Sequence, residues 1–414
     1  MSNSFIKSYF KYSEPENICN SLIKYSMLKP KTLELPIEKS LGYRIAEDLI
    51  ALNNIPSHNI SHFDGYAIKG LECNKYRVIK CSPNLLNHLE PCEAIFVATG
   101  FPVPNNADAV VPLENVRVYG EEIVVYGNVK KGFGIVYEGS DVKKGQVIIK
   151  RGEVLNPIHV KILLELGVEY VKVYEPIRIS IISVGREFIS KEKRETLSFL
   201  TEYLITMFSL GIINKKIICN DDINEIVQTL RKELETSDII IVLGGASIGV
   251  NDYSYKALLG LNPSYTFRGI KVQPGRVTSG GIVSNKIVFL LPGLIQSMLS
   301  GMLFIVMPTI MHLYGTLLSL PFYYALLSKD YEFNEFVSFR RLRFIKLRDN
   351  KAEIIESVSA HMSPILNSDG FIIIDKYVRK LEAGSIIKVY TIPYLIIGKN
   401  SSESLLAYRS SPWV

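Results

Sequence analysis

Residues 238–252 read DIIIVLGGASIGVND: a β-branched apolar run that ends in Gly244 and Gly245, passes Ser247 and Gly249, and reaches the carboxylate of Asp252. The next residues, YSYKALLG, have helical spacing. An apolar run without alternation marks a strand covered on both faces. Where such a strand turns through glycines into a helix, backbone N–H groups and the helix N-terminus make a cradle for an anion. Taken alone the loop is only moderately specific, because many strand-to-helix turns carry glycines for steric reasons.

Outward from this stretch, strands and helices alternate from Ile177 to Gly315. The order is RISIIS, a helix through Leu210, KKIIC, a helix from Ile223 to Glu235, DIIIVLGG, a helix, KIVFLLPG and a last long helix. That alternation predicts a doubly wound, mostly parallel sheet whose ligands bind beyond the carboxyl ends of its strands. Ser183 to Glu187, Asp221 with Asp222, Gly244 to Asp252 and Leu291 to Ser297 all fall at such ends.

The first fifty residues carry helical patterning, from Glu16 to Tyr25 and from Ile37 to Leu49. Ala51 to Lys144 changes to short β-type runs between Gly, Pro and Asn. Gly145 to Tyr174 reads as strand, helix and strand, the helix starting at Asn156 and Pro157 and stopping at Gly167. After Pro321 the runs FRRLRFIKL, AEIIES, GFIIID, SIIKVYTI and YLIIG predict a β domain. The expected fold is therefore a multidomain α/β protein. Its parts are 1–50 with 145–175 as a helical linker domain, 51–144 as an inserted β-rich domain, 176–316 as the sheet domain, and 317–414 as a β-barrel-like domain.

Composition narrows the function. At 414 residues with 47% apolar and 21% charged content, the chain is long enough for several cores and is not a disordered tail. The formal charge of +6 is spread among acidic residues, which disfavours nucleic acid as a partner. Five cysteines, without a CxxC pair, read as reduced structural thiols. His58 and His62 sit beside Pro56 and Gly65 in a loop rather than at helical metal-ligand spacing. The N-terminus has charges and prolines where a secretory signal needs an apolar core, so a cytoplasmic location is expected. Ile287 to Ser328 lacks Asp, Glu, Lys and Arg, but Pro292, Pro308 and Pro321 interrupt it, which favours a buried core helix over a membrane span.

Three further stretches carry a resemblance: ISHFDGYAI at Ile60 to Ile68, ATGFPVPNNADAVVPLEN at Ala98 to Asn115, and GGASIGVNDY ending at Tyr253. With the carboxylate turn at Glu187 and Leu291-Pro292-Gly293, they occur in the order seen in the molybdopterin molybdenumtransferase family, which includes the C-terminal enzyme part of gephyrin. The chain resembles a divergent member over nearly its whole length.

The resemblance implies an enzyme of molybdenum cofactor biosynthesis. It would insert molybdate or tungstate into adenylylated molybdopterin and release AMP, with Mg²⁺ as cofactor. It implies a homodimer, other cofactor-biosynthesis proteins as further partners, and no membrane. The catalytic set it implies is Asp64, Thr99, Glu187, Asp222 and Asp252, with Asp252 and Asp221 toward the metal, since hard oxygen ligands suit Mg²⁺ beside phosphates. Substrate contacts fall to Gly244, Gly245, Ser247, Gly249, Pro274, Gly275, Arg276, Pro292, Gly293, Ser297, Arg341 and Ser359. A guanidinium and hydroxyls suit a tetrahedral dianion.

Each carboxylate also has a structural reading. Asp64 precedes a glycine turn, Asp221 or Asp222 caps the following helix, Glu187 is a surface charge and Asp252 caps the helix at Tyr253. Thr99 and Asp108 order their own loop. The sequence also departs from the family pattern. Gln273 and Val277 stand in its K-P-G-K-P turn, Leu294 and Ile295 in its L-P-G-N-P loop, Arg186 beside Glu187, and Phe199 where a polar residue is usual. These departures keep a second reading open: a degenerate paralogue that binds a pterin nucleotide or a partner without turnover.

Overall fold

The computed structural model describes residues 10–79, 88–245, 252–349, 351–356 and 358–392. By its contacts the chain divides into two units, Leu33–Val173 and, as the other, Met1–Thr32 with Tyr174–Val414.

The Met1–Thr32 and Tyr174–Val414 unit contains the first helix, α1 (Pro15–Ser26). Cys19 Sγ of α1 donates to the Phe304 and Ile305 carbonyls at 3.7 Å each. The division at Thr32 differs from the expected grouping of 1–50 with 145–175, because the buried face of α1 (Ile18, Cys19, Leu22) closes the core of the sheet unit.

In the Leu33–Val173 unit, the strands are β1 (Gly65–Ile68), β2 (Lys75–Val78), β3 (Glu93–Val97), β4 (Ala109–Pro112), β5 (Val116–Tyr119) and β6 (Glu122–Val125). They form one six-stranded sheet in the order β4-β1-β3-β2-β6-β5. Helix α2 (Pro157–Glu165) starts on Asn156, whose side chain accepts from the His159 amide. The helical patterning of Ile37 to Leu49 yields only a 3-10 turn at Ile37–Lys39. The amides of Gly42, Ile45 and Ala46 donate instead to Leu155, Glu153 and Lys172. Pairing with distant chain overrides local helix propensity here.

The thiol reading of the cysteines is corrected in this unit. Cys73 and Cys92 form a disulfide, with Cα atoms 5.7 Å apart and a sequence separation of 19, while Cys19 and Cys219 are free and buried. The reason is tertiary: β2 and β3 run parallel, with Arg77 opposite Glu93, and this places the residues leading into both strands side by side. Closing a loop of this size contributes about 3 kcal/mol in the chain-entropy model. Urea unfolding under a reductant should therefore show a lower midpoint than under oxidising conditions. An unchanged midpoint, with both thiols shown to be free, would contradict that role.

In the sheet unit the expected alternation appears as β7 (Arg178–Val184), α3 (Leu197–Met207), β8 (Ile212–Cys219), α4 (Ile223–Thr236), β9 (Ile239–Gly244) and α5 (Tyr253–Leu259); two strands the sequence reading did not assign, β10 (Tyr265–Arg268) and β11 (Ser279–Val283), then precede the expected β12 (Lys286–Leu291). The sheet order is β8-β7-β9-β12-β11-β10. The first four strands are parallel and the last two antiparallel, so the sheet is mixed. Ile239 to Leu243 are all buried, which explains why this run does not alternate. Ile226, Leu230, Ala257 and Leu258 cover one face of it.

The uncharged stretch forms one helix, Ile295–Leu313, made of α6 (Ile295–Gly301), a π turn at Met302–Val306 and α7 (Met307–Leu313). By length and composition it passes a membrane-span test, yet 83% of its most apolar window is buried inside the fold. Pro308 does not end it, contrary to the sequence reading. Proline is tolerated in the first turn of a helical segment, where its missing N–H is not needed, and the π turn lies just before it.

The C-terminal strands are β13 (Phe322–Leu327), β14 (Arg340–Arg348), β15 (Lys351–Ile354), β16 (Gly370–Ile374) and β17 (Ile386–Tyr390). With the short strand Val272–Gln273 they are ordered Val272–Gln273, β14, β15, β13, β17, β16, and β14 also pairs with β16, which closes the sheet into a barrel-like ring. The expected strand YLIIG lies outside the described residues.

Candidate functional site

In the Leu33–Val173 unit, the register Gly65 opposite Val97 places the residue before β1 beside the residues after β3. Asp64 Oδ1 accepts from the Thr99 amide at 2.7 Å and from Thr99 Oγ1 at 3.0 Å. These two bonds hold the exposed Asp64 carboxyl below its ordinary range. The pair is thus preorganised and ionised at neutral pH. Asp108 accepts from the Gly70 amide (2.9 Å) and Lys69 Nζ (3.2 Å), so it orders its loop as the structural reading holds.

In the sheet unit, Val184 pairs with both Cys219 and Gly244, and Leu243 with Leu291. The turns after β7, β8, β9 and β12 therefore leave the sheet at one edge, bringing Glu187, Asp221, Gly244 with Gly245, and Pro292 with Gly293 to its carboxyl end. Ser247 and Gly249 lie outside the described residues. A Cβ built on Gly293 would sit 3.6 Å from the Gly244 Cα, so these two turns abut. Gly275 has φ +109°, and a Cβ there would come within 2.8 Å of Ser300 Cβ and 3.1 Å of the Ser297 carbonyl. Only glycine lets the Pro274-Gly275-Arg276 turn approach α6 this closely.

The C-terminal domain reaches the same helix. Gln273 pairs with Arg341 in the β ladder. Buried Gln296, in the first turn of α6, donates through Nε2 to the Val358 carbonyl (3.0 Å) and the His361 carbonyl (2.8 Å). Ser359 sits between those carbonyls. The substrate contacts expected at Gly244, Gly275, Gly293, Ser297, Arg341 and Ser359 thus belong to segments tied together around the start of α6.

Sequence reasoning assigned Gln296 no part in this, because its role depends on a loop about sixty residues away in sequence. Gln296→Ala is expected to speed amide exchange across 358–361. The lost pair of hydrogen bonds should cost about 1 kcal/mol each. Unchanged exchange in that loop would refute the clamp.

Arg341 is fully buried. Its Nη2 donates to the carbonyls of Asp375 (3.0 Å) and Val378 (2.6 Å), while Nε and Nη1 have no hydrogen-bond partner among the described residues. The guanidinium lies 5.2 Å from the Phe333 ring centre, and burial lowers its pKa. A buried cation with two unused donors is the kind of group an oxyanion completes. Arg276 is half-buried, 5.1 Å from the Phe336 ring centre.

The carboxylates of this unit divide by role. Asp222 caps α4, its Oδ1 accepting from the Glu225 amide at 2.9 Å, which matches the structural reading rather than a catalytic one. Asp221 Oδ2 accepts from the Arg186 amide at 3.3 Å. Asp252 is 3% exposed; its Oδ1 accepts from the Tyr255 amide (3.3 Å), and its Oδ2 from Arg268 Nη2 (2.7 Å). Burial pushes the Asp252 carboxyl above its ordinary range, and Arg268 and the Tyr255 amide oppose that shift without cancelling it. The sequence offered no signal for Arg268, which lies on a different element and meets Asp252 only through the return of α5 into β10.

Comparison with known proteins agrees with this layout. Residues 13–167 match the family model described as MoeA N-terminal region (domain I and II), and residues 180–312 match the one described as probable molybdopterin binding domain. A molybdopterin molybdenumtransferase of Staphylococcus aureus is 28% identical over 310 residues, covering 69% of this chain and 72% of that protein. One from Staphylococcus epidermidis is 25% identical over 383 residues, covering 87% and 91%. A crystal structure of a molybdopterin biosynthesis protein from Pyrococcus horikoshii superposes with a TM-score of 0.69 at 26% identity, covering 92% of this chain and 99% of that one. Two consecutive family models, relatives matched along most of their length and a shared multidomain fold lead to one conclusion: this chain belongs to the molybdopterin molybdenumtransferase family, a family of enzymes of molybdenum cofactor biosynthesis.

Proposed function

We propose that this chain inserts molybdate, or the similarly shaped tungstate, into adenylylated molybdopterin and releases AMP. The observation that carries this reading is Arg341, a buried guanidinium with Nε and Nη1 unused, in a ladder pair with Gln273 beside the Pro274-Gly275-Arg276 turn. A tetrahedral oxyanion meets both needs, charge and hydrogen bonds, and Ser359 and Ser297 supply hydroxyls on the segments joined by Gln296. The Gly244-Gly245 turn and the abutting Gly293 give backbone approach for the phosphate end of the nucleotide. In the reaction a water oxygen bonds to the AMP phosphorus as its bond to the bridging oxygen breaks, so AMP leaves with its own phosphate and the pterin keeps the other; at the dithiolene two metal–sulfur bonds form while one oxo oxygen of the oxyanion leaves with the two thiol protons as water. The family resemblance also implies a base or water-positioning role for Asp64, in the Leu33–Val173 unit, where Thr99 donates to its Oδ1.

Mg²⁺ enters this reading as a companion of the pyrophosphate oxygens. The donor set at Asp252 does not fit it, since both carboxylate oxygens are engaged. No group of three or more His, Cys, Asp or Glu side chains gathers among the described residues. A cytoplasmic homodimer that exchanges substrate and product with other proteins of cofactor synthesis completes the proposal.

The test is anaerobic incubation of the purified protein with adenylylated molybdopterin, with and without molybdate, following AMP. Release that requires molybdate supports insertion. Tight binding of the pterin nucleotide without release, under either oxyanion, would replace it with the non-catalytic reading that the changes at Gln273, Val277, Leu294, Ile295 and Phe199 keep open.

A further inference from the structure

Arg268 is unusually well fixed for an arginine at the edge of a sheet. Its guanidinium donates to Asp252 Oδ2 at 2.7 Å and lies against two rings, 4.2 Å from the Tyr255 centre and 5.2 Å from the Phe10 centre. Its side chain is 15% exposed and that of Asp252 is 4% exposed. The ring contacts come from separate elements: Tyr255 from the first turn of α5, and Phe10 from the N-terminal segment, whose Lys11 bridges Arg268 and Ser13 bridges Ile270. A guanidinium in contact with two rings and ion-paired to a buried carboxylate loses little further freedom on binding, so its charge is set in place in advance.

The surroundings of Asp252 point the same way. A divalent cation there would need free carboxylate oxygens and further hard ligands. Asp252 has one oxygen on the Tyr255 amide and the other on Arg268. Residues 246–251, AlaSerIleGlyValAsn in sequence, add no carboxylate, imidazole or thiol. The acid that should attract metal is already matched by a cation of the chain itself. An unmatched carboxylate at this end of the sheet would repel a phosphate arriving at Gly244 and Gly245. A matched one would not.

We propose that Arg268 is the fixed counter-charge of Asp252 and takes the place of a divalent cation there, so that the phosphate end of the substrate binds without metal on Asp252. Arg268 is a positioning residue in this scheme: it acts through Asp252 and through the charge of the turn. The phosphate half of the proposal rests on the function proposed above; the metal half does not.

The experiment has two arms on the full chain, with Arg268→Ala, Arg268→Lys, Asp252→Asn and the double variant Asp252→Asn/Arg268→Ala. In the first, Mn²⁺ alone is titrated and read by electron paramagnetic resonance. Wild type and Asp252→Asn should bind it alike, Arg268→Ala should gain a site, and the double variant should lose that site. A Mn²⁺ site in wild type that Asp252→Asn abolishes overturns the proposal, and this comparison decides even if Arg268→Ala does not fold. In the second, AMP binding is measured by calorimetry with and without Mg²⁺. Wild type and Arg268→Lys should respond to Mg²⁺ by less than about twofold, whereas Arg268→Ala should lose about tenfold in affinity under chelator and recover it with Mg²⁺. Arg268→Ala binding AMP as wild type does under chelator overturns it. Failure of wild type to bind AMP at all, with the Mn²⁺ pattern as expected, would refute the proposed substrate and leave the Arg268 assignment standing.

Discussion

Asp252→Asn is expected to lower AMP release by about 10²- to 10³-fold while AMP itself still binds within a few-fold of wild type, the scale seen when one preorganised electrostatic partner is removed from a site. Asparagine caps a helix about as well as aspartate, so α5 keeps its first turn and the Tyr255 amide keeps an acceptor. What is lost is the charge that holds Arg268. A buried guanidinium without its carboxylate is less precisely placed, and the loss falls on kcat rather than on ground-state binding. Asp252→Ala is a poorer probe. It removes the cap, worth about 1 kcal/mol, and takes the buried carboxylate away from Arg268, worth about 3 kcal/mol or more in a buried pair, so lost activity and lost fold become confounded. Wild-type rates from Asp252→Asn, with the fold confirmed by near-UV circular dichroism, would remove Asp252 from the mechanism.

Arg341→Met should act at the other end of the substrate. Its kcat/KM for molybdate is expected to fall by about 10²-fold or more, with binding of the pterin nucleotide in the absence of molybdate nearly unchanged. Stability should move little, because two effects oppose. Removing a buried charge that has no counter-ion among the described residues relieves its desolvation cost. The Asp375 and Val378 carbonyls lose a donor, at about 1–3 kcal/mol for each that stays dry. Arg341→Lys keeps a charge but not the planar fork, and should recover only part of the molybdate response. A normal molybdate KM in Arg341→Met would sink the oxyanion assignment, and with it the principal support for insertion.

Much of this protein was legible from its order of residues. The run at Ile239 to Gly244 announced a covered strand because burial on both faces removes alternation, and the gathering of the turns after β7, β8, β9 and β12 at one end of the sheet followed from the α/β alternation. Asp64 and Thr99 were named separately through motif resemblance, and their hydrogen bond emerged only in the structure. Asp222 was open between cap and catalysis, and the Glu225 amide shows that it caps the helix.

Sequence by itself determined most of the parallel strands and helices of the sheet unit and the family, because these depend on local periodicity and on motifs contiguous in the chain, while the strands Tyr265–Arg268 and Ser279–Val283 were not announced by it. The tertiary structure alone decided the Cys73–Cys92 disulfide, the pairing of Arg268 with Asp252, the Gln296 clamp on the Ser359 loop, the loss of the helix predicted from Ile37 to Leu49, and the unused donors of Arg341. Each of these depends on which chain segments become neighbours and on how much water remains between them. Disulfide closure, ion pairing and hydrogen-bond satisfaction act at atomic contact between residues far apart in sequence, where residue type and spacing carry no record of the approach.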